Sequence, residues 1–250
     1  MTLTADELYH RGVEHGNAGR NAAARRDLTS ALGRTREPDL RARITGTLAY
    51  LASRTGDPAG AERLCRDALA TEGISARSAA VLEGQLGALA VHRGALTEAT
   101  QWLDRAIDGI GDDPQHRASM RMNRSVASMQ AGRLADARAD LVGAIADFRA
   151  TDRPTDAAMA RHNLGYVLLL EGDLVAALTE MADARRAMSQ VSPVNVAIGD
   201  LDRAEVLREA GLVTEAERLL ESVARTLGAH RMPQMRGEAE LQLARSLLTH

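Results

Sequence analysis

A glycine that recurs six times at nearly constant spacing constrains the fold more than any other feature of this 250-residue chain. Successive copies lie 37 to 40 residues apart. Each copy has a small residue seven positions before it, an alanine five after it, Leu, Met or Cys nine after it, and Ala or Val twelve after it. The six copies are Gly19, Gly56, Gly94, Gly132, Gly172 and Gly211. A repeat of this length with helix-forming residues on both sides of a glycine predicts an array of helical hairpins.

The offsets around the glycine have a direct physical interpretation. Around Gly172 they are occupied by Gly165, Ala177, Met181 and Ala184. Small residues allow two helix backbones to approach closely, and the larger residue nine positions after the glycine fills the space beside them. The glycine itself can adopt the left-handed conformation that ends the first helix of a hairpin.

A single hairpin cannot bury its own apolar stripe, so neighbouring hairpins are expected to stack. We therefore predict an all-α, right-handed superhelical solenoid of six hairpins plus a terminal helix, forming a single array over residues 1–250. A capping box at Thr4 and Glu7 predicts the start of its first helix. The predicted repeats are 4–36, 37–72, 73–111, 112–151, 152–191 and 192–230, and the predicted terminal helix is 233–249.

Composition supports helices and argues against several classes of function. Hydrophobic residues make up 45% of the chain and aromatic residues only 2%, which indicates a core of Ala and Leu. All 31 basic residues are arginine, which excludes a Walker lysine or a lysine Schiff base. The single Cys65 occupies a predicted core position, and the histidines lack metal-ligand spacing. We therefore expect no enzyme activity, no cofactor and no metal site.

The remaining composition bears on partners and location. A net charge of −3 gives no indication of a nucleic-acid partner. The N-terminal stretch lacks an apolar signal region, and the longest aliphatic run is Val167–Leu170. We therefore expect no membrane partner and a cytoplasmic location.

First helices of successive hairpins are expected to line a concave groove, with contact positions about ten, nine and six residues before each turn glycine. All three tyrosines of the chain fall at these positions, and tyrosine is enriched at binding hot spots. Arg43, Arg54, Arg121 and Arg161 lie on the same helices and could bind a carboxylate or phosphate. The predicted groove contacts are Tyr9, Arg43, Thr47, Tyr50, Met122, Asn123, Val126, His162, Asn163, Tyr166, Asp202 and Glu205.

The C-terminal segment opens at Pro233 and carries an apolar face. Leu241, Leu243, Leu247 and Leu248 would leave that face without a partner. The next turn glycine would fall one position past His250, which predicts that the sequence is a fragment ending at a repeat boundary. The alternatives are a solvating cap and a homodimer formed through this helix.

The phrase Asn163-Leu-Gly165, the Gly172 turn and Ala177 resemble a tetratricopeptide repeat (TPR); HEAT or armadillo repeats, at ~40–47 residues, are the alternative. Further phrases resemble the N-terminal TPR region of bacterial CHAT-domain proteins, which carry a caspase-like peptidase domain. These phrases are Arg41–Ile44, Ala49–Tyr50, Ala160–Tyr166, Gly172–Ala177, Asp202–Leu207 and Gly237–Arg245. The resemblance implies a sensing or docking module with a C-terminal effector domain whose catalytic His and Cys lie outside these residues. A stand-alone regulator that binds a peptide signal is the alternative.

Overall fold

The computed structural model describes residues 3–189 and 192–248, and this part of the chain contains thirteen α-helices and no strand. The helices are α1 (Ala5–Asn17), α2 (Asn21–Arg34), α3 (Pro38–Arg54), α4 (Pro58–Leu69), α5 (Ala76–His92), α6 (Leu96–Gly109), α7 (Pro114–Gln130), α8 (Leu134–Ala150), α9 (Pro154–Leu170), α10 (Leu174–Met188), α11 (Pro193–Glu209), α12 (Val213–Ala229) and α13 (Pro233–Leu248). The all-α prediction is confirmed.

The helices group into two compact units. Unit 1 extends to Ala131 and contains α1–α7, and unit 2 begins at Gly132 and contains α8–α13. That all repeats form one continuous array stays a prediction. Residues 190–191 of the fifth predicted repeat and residue 249 of the predicted terminal helix lie outside the described residues.

Each predicted turn glycine has a positive φ, between 71° at Gly19 and 88° at Gly56. At Gly172 the first helix ends, and N–H groups of the turn donate hydrogen bonds to its last carbonyls. The N–H of Gly172 donates to the carbonyl of Leu169, and the N–H of Asp173 donates to that of Leu168, both at 2.9 Å. Because residues with a Cβ rarely adopt such a φ, glycine is the residue the turn requires. The predicted role of the six glycines is confirmed.

Helix starts also follow the sequence signals. The Thr4 side chain accepts a hydrogen bond from the N–H of Glu7, and the Glu7 side chain accepts one from the N–H of Thr4, so the predicted capping box is present. Proline occupies the first turn of α3, α4, α7, α9 and α11, where a missing N–H costs nothing.

The two helices of a hairpin approach closely where a glycine lies seven positions before the turn. A Cβ added to Gly12 would lie 2.8 Å from Cγ of Leu28, and one added to Gly87 would lie 2.5 Å from Cγ of Leu103. In both pairs the partner lies nine residues after the turn glycine and is fully buried. Gly165 and Met181 form the same pair in unit 2. The predicted close approach is therefore confirmed.

The alanine five residues after each turn glycine is also part of the core. Its relative exposure is 0% in every hairpin, at Ala24, Ala61, Ala99, Ala137, Ala177 and Ala216. Cys65 is also fully buried, and burial raises the pKa of its thiol to about 12. Its predicted role as a small core residue is confirmed.

The last described helix, α13, packs on α12 through Ala239 and Leu243 but leaves other leucines uncovered. Leu241, Leu247 and Leu248 are 47%, 60% and 86% exposed. No helix among the described residues is both long enough and apolar enough to cross a bilayer.

The helix contact at Gly87 predicts the effect of adding one methyl group there. Gly87→Ala should lower the free energy of unfolding by about 1–3 kcal/mol, because the new methyl group would overlap the Leu103 side chain. The matched control is Gly33→Ala in α2, where an added Cβ meets nothing within 4 Å. Urea unfolding followed by circular dichroism measures both changes. Equal stability of the two variants would contradict the close contact.

Candidate functional site

In unit 1, side chains of α1, α3, α5 and α7 line two adjoining clefts. The first cleft, of about 890 Å³, lies against α1, α3 and α5, and the second, of about 420 Å³, lies between α3, α5 and α7. Four residues line both clefts: Tyr50, Val81, Gln85 and His116. The first helices of four successive hairpins therefore contribute to one pair of connected clefts.

Tyr50 lies where the two clefts meet. Its side chain is 52% exposed, although most large apolar groups of the chain are buried. The guanidinium of Arg54, one helical turn further along α3, lies over the ring with its Cζ 5.7 Å from the centroid. It also donates a hydrogen bond to the Tyr50 hydroxyl at 3.2 Å. This stacking holds a cation and an aromatic face side by side at the surface.

Tyr9 and Arg43 form a similar pair in the first cleft. Cζ of Arg43 lies 5.2 Å from the centroid of the Tyr9 ring, and its Nη2 lies 3.5 Å from Oδ1 of Asp6. Because both charged side chains are about half exposed, this ion pair is weak. Thr47 also lines this cleft, but its hydroxyl donates to the Arg43 carbonyl within the helix.

The carboxylates near the first cleft already accept hydrogen bonds from backbone N–H groups. The Glu37 side chain accepts from the N–H of Leu40 at the start of α3. Asp39 accepts from the N–H of Ser75 at 2.7 Å, a bond that lowers the pKa of Asp39. These acids therefore serve mainly to hold helix ends in place.

The second cleft has an apolar floor and a polar rim. Its floor includes Met120, whose Cε would lie 2.9 Å from a Cβ added at Gly84. Its polar lining includes Asn123 of α7 and Gln85 of α5, and the Oε1 of Gln85 lies 3.4 Å from Sγ of the buried Cys65. The glycine at position 84 allows α7 to pack closely against α5.

The predicted contacts of unit 1 do not all reach these clefts. Tyr9, Arg43, Thr47, Tyr50 and Asn123 line one or both, but Met122 and Val126 line neither. Val126 packs against the core cluster around α6 instead.

Sequence reasoning also missed several lining residues. Counting ten, nine and six residues back from Gly94 gives Gly84, Gln85 and Ala88, which line the second cleft. The predicted set contained no residue of that hairpin. No spacing rule pointed to His116, which lies in the first turn of α7.

In unit 2, four of the five predicted residues meet in pairs between α9 and α11. Nε2 of His162 lies 2.9 Å from Oδ2 of Asp202, and the Tyr166 hydroxyl donates to Oε2 of Glu205 at 3.4 Å. Burial, with the nearby carboxylates of Glu205 and Asp202, raises the pKa of Tyr166. Asn163 is half-buried beside them on α9. His162 is only 9% exposed, so this pairing is largely internal.

Arg161, one of the arginines suggested for ligand binding, is engaged within its own hairpin. Its Nε lies 2.7 Å from Oε2 of Glu180, and its Nη2 lies 2.7 Å from Oδ2 of Asp183. These two carboxylates of α10 raise the pKa of the guanidinium. A ligand anion would have to displace them.

The described part of the chain contains no group of three or more His, Cys, Asp or Glu side chains arranged to hold a metal ion.

No protein-family model matches the sequence, and no curated protein matches it significantly. Solved structures do share its fold. A Rap protein crystallised with competence and sporulation factor is 14% identical, with a TM-score of 0.69 over 99% of this chain and 77% of that one. A STAND signal-transduction ATPase from Pyrococcus horikoshii with a tetratricopeptide repeat sensor gives a TM-score of 0.78 at 12% identity, over 97% of this chain and 38% of that one.

A third similar structure has TPR-like repeats of a kinesin light chain from Podosopora anserina. It is 18% identical, with a TM-score of 0.63 over 79% of this chain and 99% of that one. At such low identities the likeness concerns the fold alone. The chain has the all-α helical-repeat fold of TPR proteins.

Proposed function

We propose that this chain is a non-catalytic scaffold that binds a protein or peptide segment along the two clefts of unit 1. The observation that carries the proposal is the junction of those clefts, where an exposed tyrosine and a stacked arginine lie between two depressions lined by successive first helices. A depression with a few polar groups around an apolar floor is the usual form of a binding site.

The proposed contacts in unit 1 are Tyr9, Arg43, Thr47, Tyr50 and Asn123. Tyrosine offers a large contact area at low cost in conformational entropy, and two of the three tyrosines of the chain line these clefts. Because helices rather than loops carry these side chains, a ligand would meet a largely preformed surface.

A further contact surface is proposed in unit 2, and it consists of His162, Asn163, Tyr166, Asp202 and Glu205. Their hydrogen bonds join α9 to α11, and Asp202 remains 46% exposed. A donor from a ligand could reach that carboxylate.

Similar structures lend support to a binding role. The Rap protein was crystallised with competence and sporulation factor, and the STAND protein is described as having a tetratricopeptide repeat sensor. Both statements concern those proteins, and a binding role for this chain is an inference from a shared fold.

The proposed contacts in unit 1 predict that a double variant binds its ligand less tightly. Peptides that bind the full chain can first be selected from an unbiased synthetic array. Tyr50→Ala combined with Asn123→Ala should weaken them roughly tenfold or more in fluorescence anisotropy, because both side chains line the second cleft. Val175→Ala, at a 79% exposed position of α10, is the control and should bind normally. Unchanged affinity of the double variant would place the ligand elsewhere.

A narrower form of the proposal makes the chain the docking or sensing region of a CHAT-type peptidase system. It rests on the sequence phrases around Arg41, Ala160, Gly172, Asp202 and Gly237 alone. If it is correct, the purified chain should form a complex with the CHAT peptidase domain of the same system when the two are produced as separate polypeptides, measurable by co-purification. Independent elution of the two proteins would refute this form and leave the general binding role intact.

Self-association through α13 is a second candidate function, favoured by the exposed side chains of Leu241, Leu247 and Leu248. Burying these leucines against a second copy would remove apolar surface from water. Sedimentation should then show a dimer that dissociates in Leu247→Glu and persists in the control Val142→Glu, at a 54% exposed position of α8. A monomer at high concentration would exclude this candidate.

A further inference from the structure

We infer that the second cleft of unit 1 selects a carboxylate group of its ligand, so that the bound peptide is acidic at that point. This inference rests on the proposed binding function and adds the chemistry of the group that is recognised.

Basic side chains line the second cleft, but acidic side chains do not, among the residues that the structure describes. Arg54, His92 and His116 line it, together with the amide side chains of Gln85 and Asn123. Arginine is charged at every relevant pH, and the histidines add positive charge when they are protonated. An anion entering the cleft would therefore meet hydrogen-bond donors and no opposing carboxylate in its wall.

Arg54 is the cation best placed to receive such an anion. Among the residues that the structure describes, Arg54 contacts only Tyr50, whose hydroxyl accepts one of its five N–H donors and whose ring lies against the flat face of the guanidinium. No carboxylate of the described residues lies within ion-pair distance of it, in contrast to Arg43 and Arg161. A guanidinium held in one orientation loses little conformational freedom when it binds a carboxylate.

One acid that contacts a residue of this cleft is already engaged. Asp113 lies beside His116, whose Nδ1 is 2.8 Å from Oδ2 of Asp113, and it also accepts bonds from the N–H of His116 and from Arg77. Although burial raises the pKa of Asp113, these donors lower it by more, so the carboxylate stays charged and bonded. Its negative charge is therefore compensated by its own neighbours.

The apolar floor strengthens this preference. Val81, Leu89 and Met120 also line the cleft, and Leu89 and Met120 are buried. Charge-assisted hydrogen bonds are stronger where water is partly excluded. A glutamate side chain should bind up to about fivefold more tightly than the glutamine of the same shape, because Arg54 is exposed and solvent weakens an ion pair with it.

The test uses the full chain and peptides chosen on an unbiased synthetic array. Each selected peptide is resynthesised with Glu, Gln or Arg at its acidic position, and with a free or amidated C-terminus. We expect the affinity to be highest for the Glu peptide, lower for the Gln peptide and lowest for the Arg peptide. The advantage of Glu should fall as salt is added. If amidation alone removes the advantage, the recognised carboxylate is the C-terminus rather than a side chain, and the inference still holds.

Two variants identify the cleft as the source of the preference. Arg54→Glu should reverse the order in favour of Arg peptides, and Asn123→Asp, a nearly isosteric change, should weaken the Glu peptides alone. Arg63→Glu changes the net charge equally at an exposed position of α4 that lines neither cleft. It should leave the order unchanged. Circular dichroism checks that each variant is folded.

The failures of the two proposals can be told apart. If Glu and Gln peptides bind equally and both are lost in Tyr50→Ala, the binding function stands and the charge preference is wrong. The charge preference is also wrong if Arg54→Glu leaves the order unchanged. If no peptide on the array binds, the binding function and the inference are both wrong.

Discussion

The structure depends on one contact that recurs at Gly12, Gly87 and Gly165, between a small residue seven positions before the turn glycine and a larger one nine positions after it. At Gly87 and Leu103 the helices are so close that even a methyl group would overlap its neighbour. Close packing of this kind fixes the rotation of each first helix about its axis. That rotation in turn decides which side chains face the clefts of unit 1.

The amino-acid composition explains which aromatic and charged side chains lie at these clefts. The core consists largely of alanine and leucine, and two of the few aromatic residues lie at the clefts instead. Because every basic residue is arginine, the cations beside Tyr9 and Tyr50 have planar groups that stack on the rings. The acids at the first cleft accept hydrogen bonds from the N–H groups of helix ends, whereas none of the described acids lines the second cleft. A cationic, partly apolar cleft is the consequence.

The helical hairpins and their turns could be predicted from the sequence because each signal is local. A glycine with positive φ or a capping box depends on a few neighbouring residues. The lining of the clefts was harder to predict, because one residue along a helix corresponds to a rotation of about 100°. Asn123 lines the second cleft, whereas Met122 beside it lines neither.

Side-chain pairing was the least predictable feature. Arg161 is engaged by Glu180 and Asp183, and His162 by Asp202. Those partners lie 19, 22 and 40 residues away along the chain. Several charged side chains lie near each of these groups, and the packing of the helices decides which of them forms the pair. The repeat pattern does not specify that packing.

Hydrogen–deuterium exchange of the full chain, with and without a peptide that binds it, tests the central claim most directly. If the ligand lies in the clefts formed by the first helices, amides of α3, α5 and α7 should become more protected on binding, while those of α4 and α6 should change little. Protection confined to α4 and α6 would show that the ligand binds the second helices and would contradict the account.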